Sequence, residues 1–136
     1  MVRIFASLLV SLLVIPSEGV AATHVTEGDE ARKLYAADKG KAQVLVQKNK
    51  VFILRAPDGK ETPKSDTITV KAGERFYIVN EEDTFVHNVY DTTDSSWVLK
   101  KQLPANVAAV IFDTTGEHFL RCAIHPIMKI DVHVVQ

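Results

Sequence analysis

The chain has 136 residues, of which 46% are apolar, and its formal net charge at pH 7 is −1. A nearly neutral chain argues against a nucleic-acid-binding protein, because such domains concentrate positive charge on one face. The single cysteine excludes an internal disulfide, so a domain of this size depends on its apolar core, and a metal ion would be a source of further stability.

The N-terminus has the pattern of an export signal. Arg3 precedes an almost unbroken apolar run over residues 4–15, and Val20-Ala21-Ala22 offers the small residues that a signal peptidase requires. The run is shorter than the roughly 20 apolar residues of a membrane-spanning helix. We predict a signal peptide over residues 1–22, export to the periplasm or beyond, and no membrane span once it is removed. An N-terminal anchor that is never cleaved is the alternative.

The chain after the predicted signal divides into an arm and a β-rich domain. Residues 23–41 leave two possibilities open, a short helix capped by Asp29 and running to Ala37, or a loose arm. From residue 42 to 136, short apolar or alternating segments are separated by turn-forming residues, which indicates one domain built as a sandwich or barrel. Eight strands are predicted, over residues 42–46, 51–54, 67–70, 76–79, 86–90, 107–112, 118–122 and 130–135.

A thiol, an imidazole and a thioether stand together in the segment from Cys122 to Met128, with His125 between them. A soft, mixed donor set of this kind suits copper better than other common biological metals. Cys122 ends one predicted strand and Ile130 begins the next, so the three side chains can converge within one tight loop. Singly, each residue is better explained as a core or surface residue, whereas their clustering indicates a metal site.

A copper site of the electron-transfer type requires a second imidazole. His87 is the natural candidate, because it lies at the start of a predicted strand that could neighbour the loop. The other histidines are weaker candidates. His24 lies in the arm, His133 alternates with apolar residues and should face solvent, and His118 should lie near the edge of the core.

Four segments together resemble the cupredoxins, the family of plastocyanin, amicyanin and azurin, over about residues 42–136. The Cys-x-x-His-x-x-Met spacing, with Pro after the His, is most similar to the short ligand loop of amicyanin. The segments that carry the resemblance are Thr67-Ile-Thr-Val-Lys-Ala-Gly-Glu, Phe76-Tyr-Ile-Val-Asn80, His87-Asn88-Val89 and Gly116-Glu-His-Phe-Leu-Arg-Cys122-Ala-Ile-His125-Pro-Ile-Met128.

The resemblance implies an all-β, Greek-key sandwich of about seven to eight strands that holds one type 1 copper. His87, Cys122 and His125 would be the equatorial ligands, and Met128 would be the axial ligand. Such a protein is an electron carrier and not an enzyme. Partners conceivable for an amicyanin-like loop are a dehydrogenase that donates electrons and a c-type cytochrome that accepts them, and the expected state is a monomer.

Two sets of supporting residues are predicted around these ligands. Asn88 is expected to brace the site by a hydrogen bond toward the cysteine side, and Pro126 is expected to stiffen the ligand loop. His125 is expected to be the electron port, within an apolar docking patch formed by Phe85, Val86, Pro126 and Ile127.

Two alternatives keep the same donors but change their use. A copper chaperone or storage protein of the same fold would transfer the metal instead of electrons, although such proteins tend to be richer in methionine and histidine. A variant in which Met128 does not coordinate is also open. A structural zinc site is disfavoured because it recruits more thiolates or imidazoles, and a binuclear copper centre would need a second cysteine.

Overall fold

The computed structural model describes residues 22–136. The export signal predicted over residues 1–22 lies, apart from Ala22, outside the described residues. The division of the chain into signal, arm and domain stays a prediction. No helix within residues 22–136 has the length and apolar character needed to cross a membrane.

Two β-sheets form a sandwich, which confirms the predicted all-β, Greek-key architecture. Sheet A has the strand order β1-β9-β6-β2-β3-β4, and sheet B has the order β5-β11-β10-β7-β8. The elements are β1 (Thr23–Glu27), α1 (Gly28–Ala37), β2 (Val44–Lys48), β3 (Val51–Arg55), β4 (Glu61–Thr62), β5 (Thr67–Lys71), β6 (Arg75–Asn80), β7 (His87–Asp91), β8 (Val98–Gln102), β9 (Val107–Phe112), β10 (Gly116–Cys122) and β11 (Lys129–Val135).

The structure contains three strands that the sequence pattern does not predict. These are β1, β4 and β8, each of which lies at the edge of a sheet. Their sequences lack the apolar runs or the clean alternation by which strands are recognised, whereas the edge strand β5 alternates clearly and is predicted. The eight predicted strands are all present, with ends that move by one or two residues.

The predicted hairpin between β2 and β3 closes with a two-residue turn. Asn49 and Lys50 both have positive φ angles, 54° and 57°, which is the backbone of a type I′ turn. This turn matches the twist of the strands it joins, and Val46 and Gln47 of β2 consequently pair in register with Ile53 and Phe52 of β3.

The main core lies between the sheets and includes Phe52, Phe76, Phe112, Leu120 and Ile130. A second apolar cluster lies on the other face of sheet A. There Ala31 of α1 is fully buried with residues that point out of the sheet, and the sheet residues of this cluster are Val44, Val46, Tyr77, Val79, Val107 and Ala109.

Residues 23–41 form a strand and a helix instead of a loose arm. Strand β1 pairs antiparallel with β9, and α1 then returns across the outer face of sheet A. The predicted cap by Asp29 is wrong. The N-cap residue is Glu27, which makes no side-chain cap, and Asp29 lies in the first turn of the helix. Asp38, just after the helix, accepts hydrogen bonds from Arg75 (2.8 Å) and the Tyr77 hydroxyl (2.6 Å), which ties the helix to β6.

Candidate metal centre

The pairing of β7 with β10 brings two of the predicted ligands together. Cys122, the last residue of β10, pairs in register with Val89, two residues beyond His87 at the start of β7. The Sγ atom of Cys122 lies 3.7 Å from Nδ1 of His87 and 3.8 Å from Nδ1 of His125, and the two Nδ1 atoms are 3.1 Å apart. One sulfur and two nitrogens therefore face a common point.

These three atoms fit a metal ion. Metal bonds to imidazole nitrogen and thiolate sulfur are roughly 2.0 to 2.3 Å long, so an ion between the three atoms would span the observed separations. The three donor atoms lie within 4.8 Å of one another, and His87 and Cys122 are buried. Two neutral imidazoles and a thiolate form the equatorial donor set of blue-copper sites.

Met128 lies against the same site through its backbone. Its N–H donates to the carbonyl of His125 (2.9 Å), and its carbonyl accepts from the N–H of Cys122 (3.2 Å). The side chain is 1% exposed and belongs to the core that also contains Cys122. The loop therefore turns back on itself with Met128 buried, and coordination by its sulfur stays a prediction.

The environment of His87 favours the neutral form of its imidazole. The side chain is fully buried, which lowers the pKa of His87 below its usual range, and the neighbouring His125 lowers it further, while Glu82 acts in the opposite direction. A neutral imidazole is the form that binds a metal. Its Nε2 atom lies 3.4 Å from a carboxylate oxygen of Glu82 without hydrogen-bond geometry, so this ring edge faces a buried carboxylate.

The side chain of Asn88 bonds to the neighbouring strand. Its Oδ1 atom accepts the backbone N–H of Lys101 in β8 (2.6 Å), whereas its backbone carbonyl accepts the N–H of Ala123, beside Cys122 (2.9 Å). The contact with the cysteine side is therefore made by the main chain. Pro126 is exposed in the ligand loop, and its stiffening role stays a prediction.

A buried polar layer that the sequence did not predict lies behind His87. Gln47 of β2 donates to Gln102 of β8 (2.5 Å), which crosses from sheet A to sheet B, and Gln102 donates to the carbonyl of Ile78 (3.0 Å). Asn80 donates to the carbonyls of Gln102 and Phe85 and accepts the N–H of Glu82.

A signal for this layer was present in the sequence. The apolar runs of β2 and β6 end in Gln47 and Asn80, which are paired in register, and Gln102 is paired with His87. An amide at the end of two buried strands indicates a polar contact, because buried polar groups need hydrogen-bond partners.

The remaining histidines of the described chain lie away from the cluster. His24 pairs with Asp113 at the surface (2.7 Å), and His133 pairs with Glu117 on the solvent face of sheet B, as its alternation predicts. His118 lies at the core edge, also as predicted. Its Nδ1 atom is 2.5 Å from the buried Asp91, and its ring stacks on Phe112.

No protein-family model matches the sequence, and no curated protein matches it. The fold does match solved structures of amicyanin. A mutant amicyanin in its Cu(I) form is 20% identical, covers 81% of this chain and 97% of its own, and has a TM-score of 0.57. Amicyanin from Paracoccus versutus is 24% identical, with coverage of 81% and 96% and a TM-score of 0.55. An oxidised mutant amicyanin has a TM-score of 0.57 at 20% identity. This likeness shows that the chain has the cupredoxin fold.

Proposed function

We propose that this cupredoxin-fold chain is an electron carrier, not an enzyme, and that it binds one mononuclear type 1 copper. The observation that carries the proposal is the convergence of Nδ1 of His87, Sγ of Cys122 and Nδ1 of His125 within 4.8 Å of one another. These three residues would be the equatorial ligands, and the buried Met128 would be the axial ligand.

Copper bound there would supply a one-electron couple between Cu(I) and Cu(II). The protein residues contribute a fixed geometry, which favours fast electron transfer because few atoms move when the charge changes. His87 is held between the β7–β10 pairing and the polar layer of Gln47, Asn80 and Gln102. Cys122 is 2% exposed, which keeps water away from its sulfur.

His125 would connect the metal with a partner. It is half-buried at the end of the sandwich, whereas His87 is fully buried. Of the two predicted ligand histidines, His125 is therefore the one with a partly accessible imidazole. The ring centroids of Phe85 and His125 are 5.9 Å apart, in an edge-on arrangement. Phe85 would dock the partner together with Val86, Pro126 and Ile127. We propose an exported monomer, in the periplasm or an equivalent compartment, that takes electrons from a dehydrogenase and passes them to a c-type cytochrome.

The test is to add Cu(II) to the purified chain from residue 23 onward and to record its visible spectrum and its voltammogram. We expect an intense thiolate-to-copper charge-transfer band and a reversible one-electron wave. Cys122→Ser should remove the band completely, because the thiolate is the source of that transition. His133→Gln is the matched control, since His133 lies on the solvent face and pairs with Glu117.

The opposite results have a clear meaning. Tight, colourless retention of Cu(I) without a reversible wave would contradict the carrier and favour the chaperone or storage protein. Persistence of the band in Cys122→Ser would show that the cluster is not the copper site, and loss of the band in His133→Gln would show that the loss is not specific to the thiolate.

A further inference from the structure

The metal end of the sandwich carries a concentration of exposed apolar side chains. Four large ones lie on the three loops that approach this end after β6, β8 and β10, and we call them the metal-end patch: Phe85 (42% exposed), Leu103 (44%), Ile124 (49%) and Ile127 (75%). Asn80 holds the first two loops together, because its side chain donates to the carbonyls of Phe85 and of Gln102, next to Leu103. Leu103 and Ile124 extend the docking patch named above.

Lysines lie around this patch, and we call them the basic rim: Lys48, Lys50, Lys101 and Lys129. All four are exposed, and none takes part in an ion pair within residues 22–136. The Nζ atom of Lys50 lies 4.1 Å from the centre of the Phe85 ring, which places one cation directly on the patch. Lys101 donates its backbone N–H to Asn88, the neighbour of His87.

Acidic groups offset this rim only in part: Arg55 is shared between Glu61 and Glu81, and Glu81 also lies near Lys48. Of the carboxylates after β6, Glu81 is bound to Arg55 and Glu82 is buried behind His87, so Asp83 is the exposed one that faces solvent without an ion pair among the described residues. The whole chain has a net charge of −1, so the excess of positive charge at this end is local. An apolar centre with a cationic rim is complementary to an apolar centre with an acidic rim.

We infer that the metal end docks a redox protein whose own electron-exchange site is surrounded by carboxylates. This inference rests on the proposed function, because a lipid surface or a nucleic acid could not take an electron from a site beside His125. The four exposed apolar side chains suit a small interface that forms and dissociates rapidly. The lysines would steer the encounter, so that association weakens as salt rises.

The experiment uses two gold surfaces that imitate the partner's charge, one coated with carboxylate-terminated and one with amine-terminated alkanethiols. Retention of the chain from residue 23 onward is measured by surface plasmon resonance, with and without copper, at low and high NaCl. The rim variant is Lys48→Glu/Lys50→Glu. The matched control is Lys60→Glu/Lys71→Glu, which makes the same charge change at exposed lysines near the opposite ends of the strands.

We expect retention on the carboxylate surface only, loss of retention at high salt, and at least a roughly threefold decrease in the rim variant, with a much smaller change in the control. Equal retention on both surfaces, or equal losses in the two variants, would overturn the inference. Retention by phosphatidylglycerol vesicles at 0.1 M NaCl would also overturn it, by assigning the surface to a membrane.

The copper-loaded chain separates this inference from the proposed function. On the carboxylate surface it should show a direct reversible wave, since the metal end faces the electrode. Retention without a direct wave, in a protein whose copper cycles reversibly with dissolved mediators, would overturn the docking orientation. Absence of reversible cycling, both on the electrode and with dissolved mediators, would overturn the proposed function. In that case, retention of the copper-free chain on the carboxylate surface would still test the role of the basic rim.

Discussion

The two sheets of the sandwich differ in what covers their outer faces. Sheet A is buried on both sides, because the core lies on one face and α1 lies on the other, and four consecutive residues of β2 and five of β6 are buried. Sheet B has one solvent face, and in β5 and β11 exposed or half-exposed residues alternate with buried ones. The predicted metal ligands His87 and Cys122 belong to the half-exposed sheet.

This difference assigns most of the stability to sheet A and the metal ligands to sheet B. A sheet covered on both faces contributes more buried apolar area, so we expect sheet A and its helix to contribute much of the free energy of unfolding. Sheet B brings the donor atoms to one end of the molecule. Substitutions in the cover of sheet A should therefore change stability more than they change the copper spectrum.

The largest effect is expected where the helix meets sheet A. Ala31 is fully buried, so Ala31→Asp places an unpaired charge in an apolar cluster and should lower the free energy of unfolding by about 3 to 5 kcal/mol. Urea denaturation measures the change. Ala36→Asp in the same helix is the control, because Ala36 is exposed and the cost there should be below about 1 kcal/mol. Equal losses in the two variants would contradict a packed cover.

A smaller effect should come from the same substitution made once in each sheet. Val79 is buried on the outer face of sheet A, and Val98 is exposed on β8 of sheet B. Val79→Thr buries a hydroxyl and should cost about 1 to 2 kcal/mol, whereas Val98→Thr should stay within about 0.5 kcal/mol. Thermal and urea unfolding of the two variants measure the change in the free energy of unfolding. A cost at Val98 as large as that at Val79 would argue against the contrast between the sheets.

The smallest effect is expected at the contact between α1 and β6. The Tyr77 hydroxyl and then Arg75 hold the pKa of Asp38 below its usual range, so Asp38→Asn should cost about 1 kcal/mol at neutral pH. A lowered folded pKa stabilises the protein above the unfolded pKa of about 4, and this contribution is lost as pH falls through the folded value.

The pH dependence gives this prediction its own check. The difference between wild type and Asp38→Asn should be constant from about pH 6 to pH 8 and should shrink below about pH 4. At the alkaline end, burial and the bond to Asp38 raise the pKa of Tyr77 to about 12, so stabilisation by the neutral phenol is lost only above about pH 10. A difference that did not change on acidification would show that the charge of Asp38 plays no part.

The sequence predicts sheet B through alternation and sheet A through continuous apolar runs. Thr67-Ile-Thr-Val shows the first pattern and Phe76-Tyr-Ile-Val the second. A continuous apolar run requires packing partners on both faces of the sheet, but it does not identify the segment that packs on the outer face. The buried position of Ala31 is what identifies that cover, and alanine is too common in exposed helices to predict it.

The convergence of the histidines and the thiol was predictable from residue type and spacing, because Cys122 and His125 lie in one loop. The surroundings of His87 were not, apart from the amides that end the apolar runs of β2 and β6. Glu82 and Gln102 reach this histidine through strand pairing and loop packing, and Lys101 holds Asn88 through a positive-φ backbone that its residue type does not reveal. Contacts of this kind depend on three-dimensional neighbours, so local patterns miss them.

The parallel strand pairs have a consequence for how the chain folds. β2 pairs with β6, and β5 pairs with β11, so Thr67 meets Asp131 across more than sixty intervening positions. Pairings between such distant segments form slowly, and sandwiches of this type commonly take milliseconds to seconds to fold. The core that encloses Cys122 includes Ile68 of β5 and Val132 of β11, so we expect the surroundings of the thiol to be completed only late in folding.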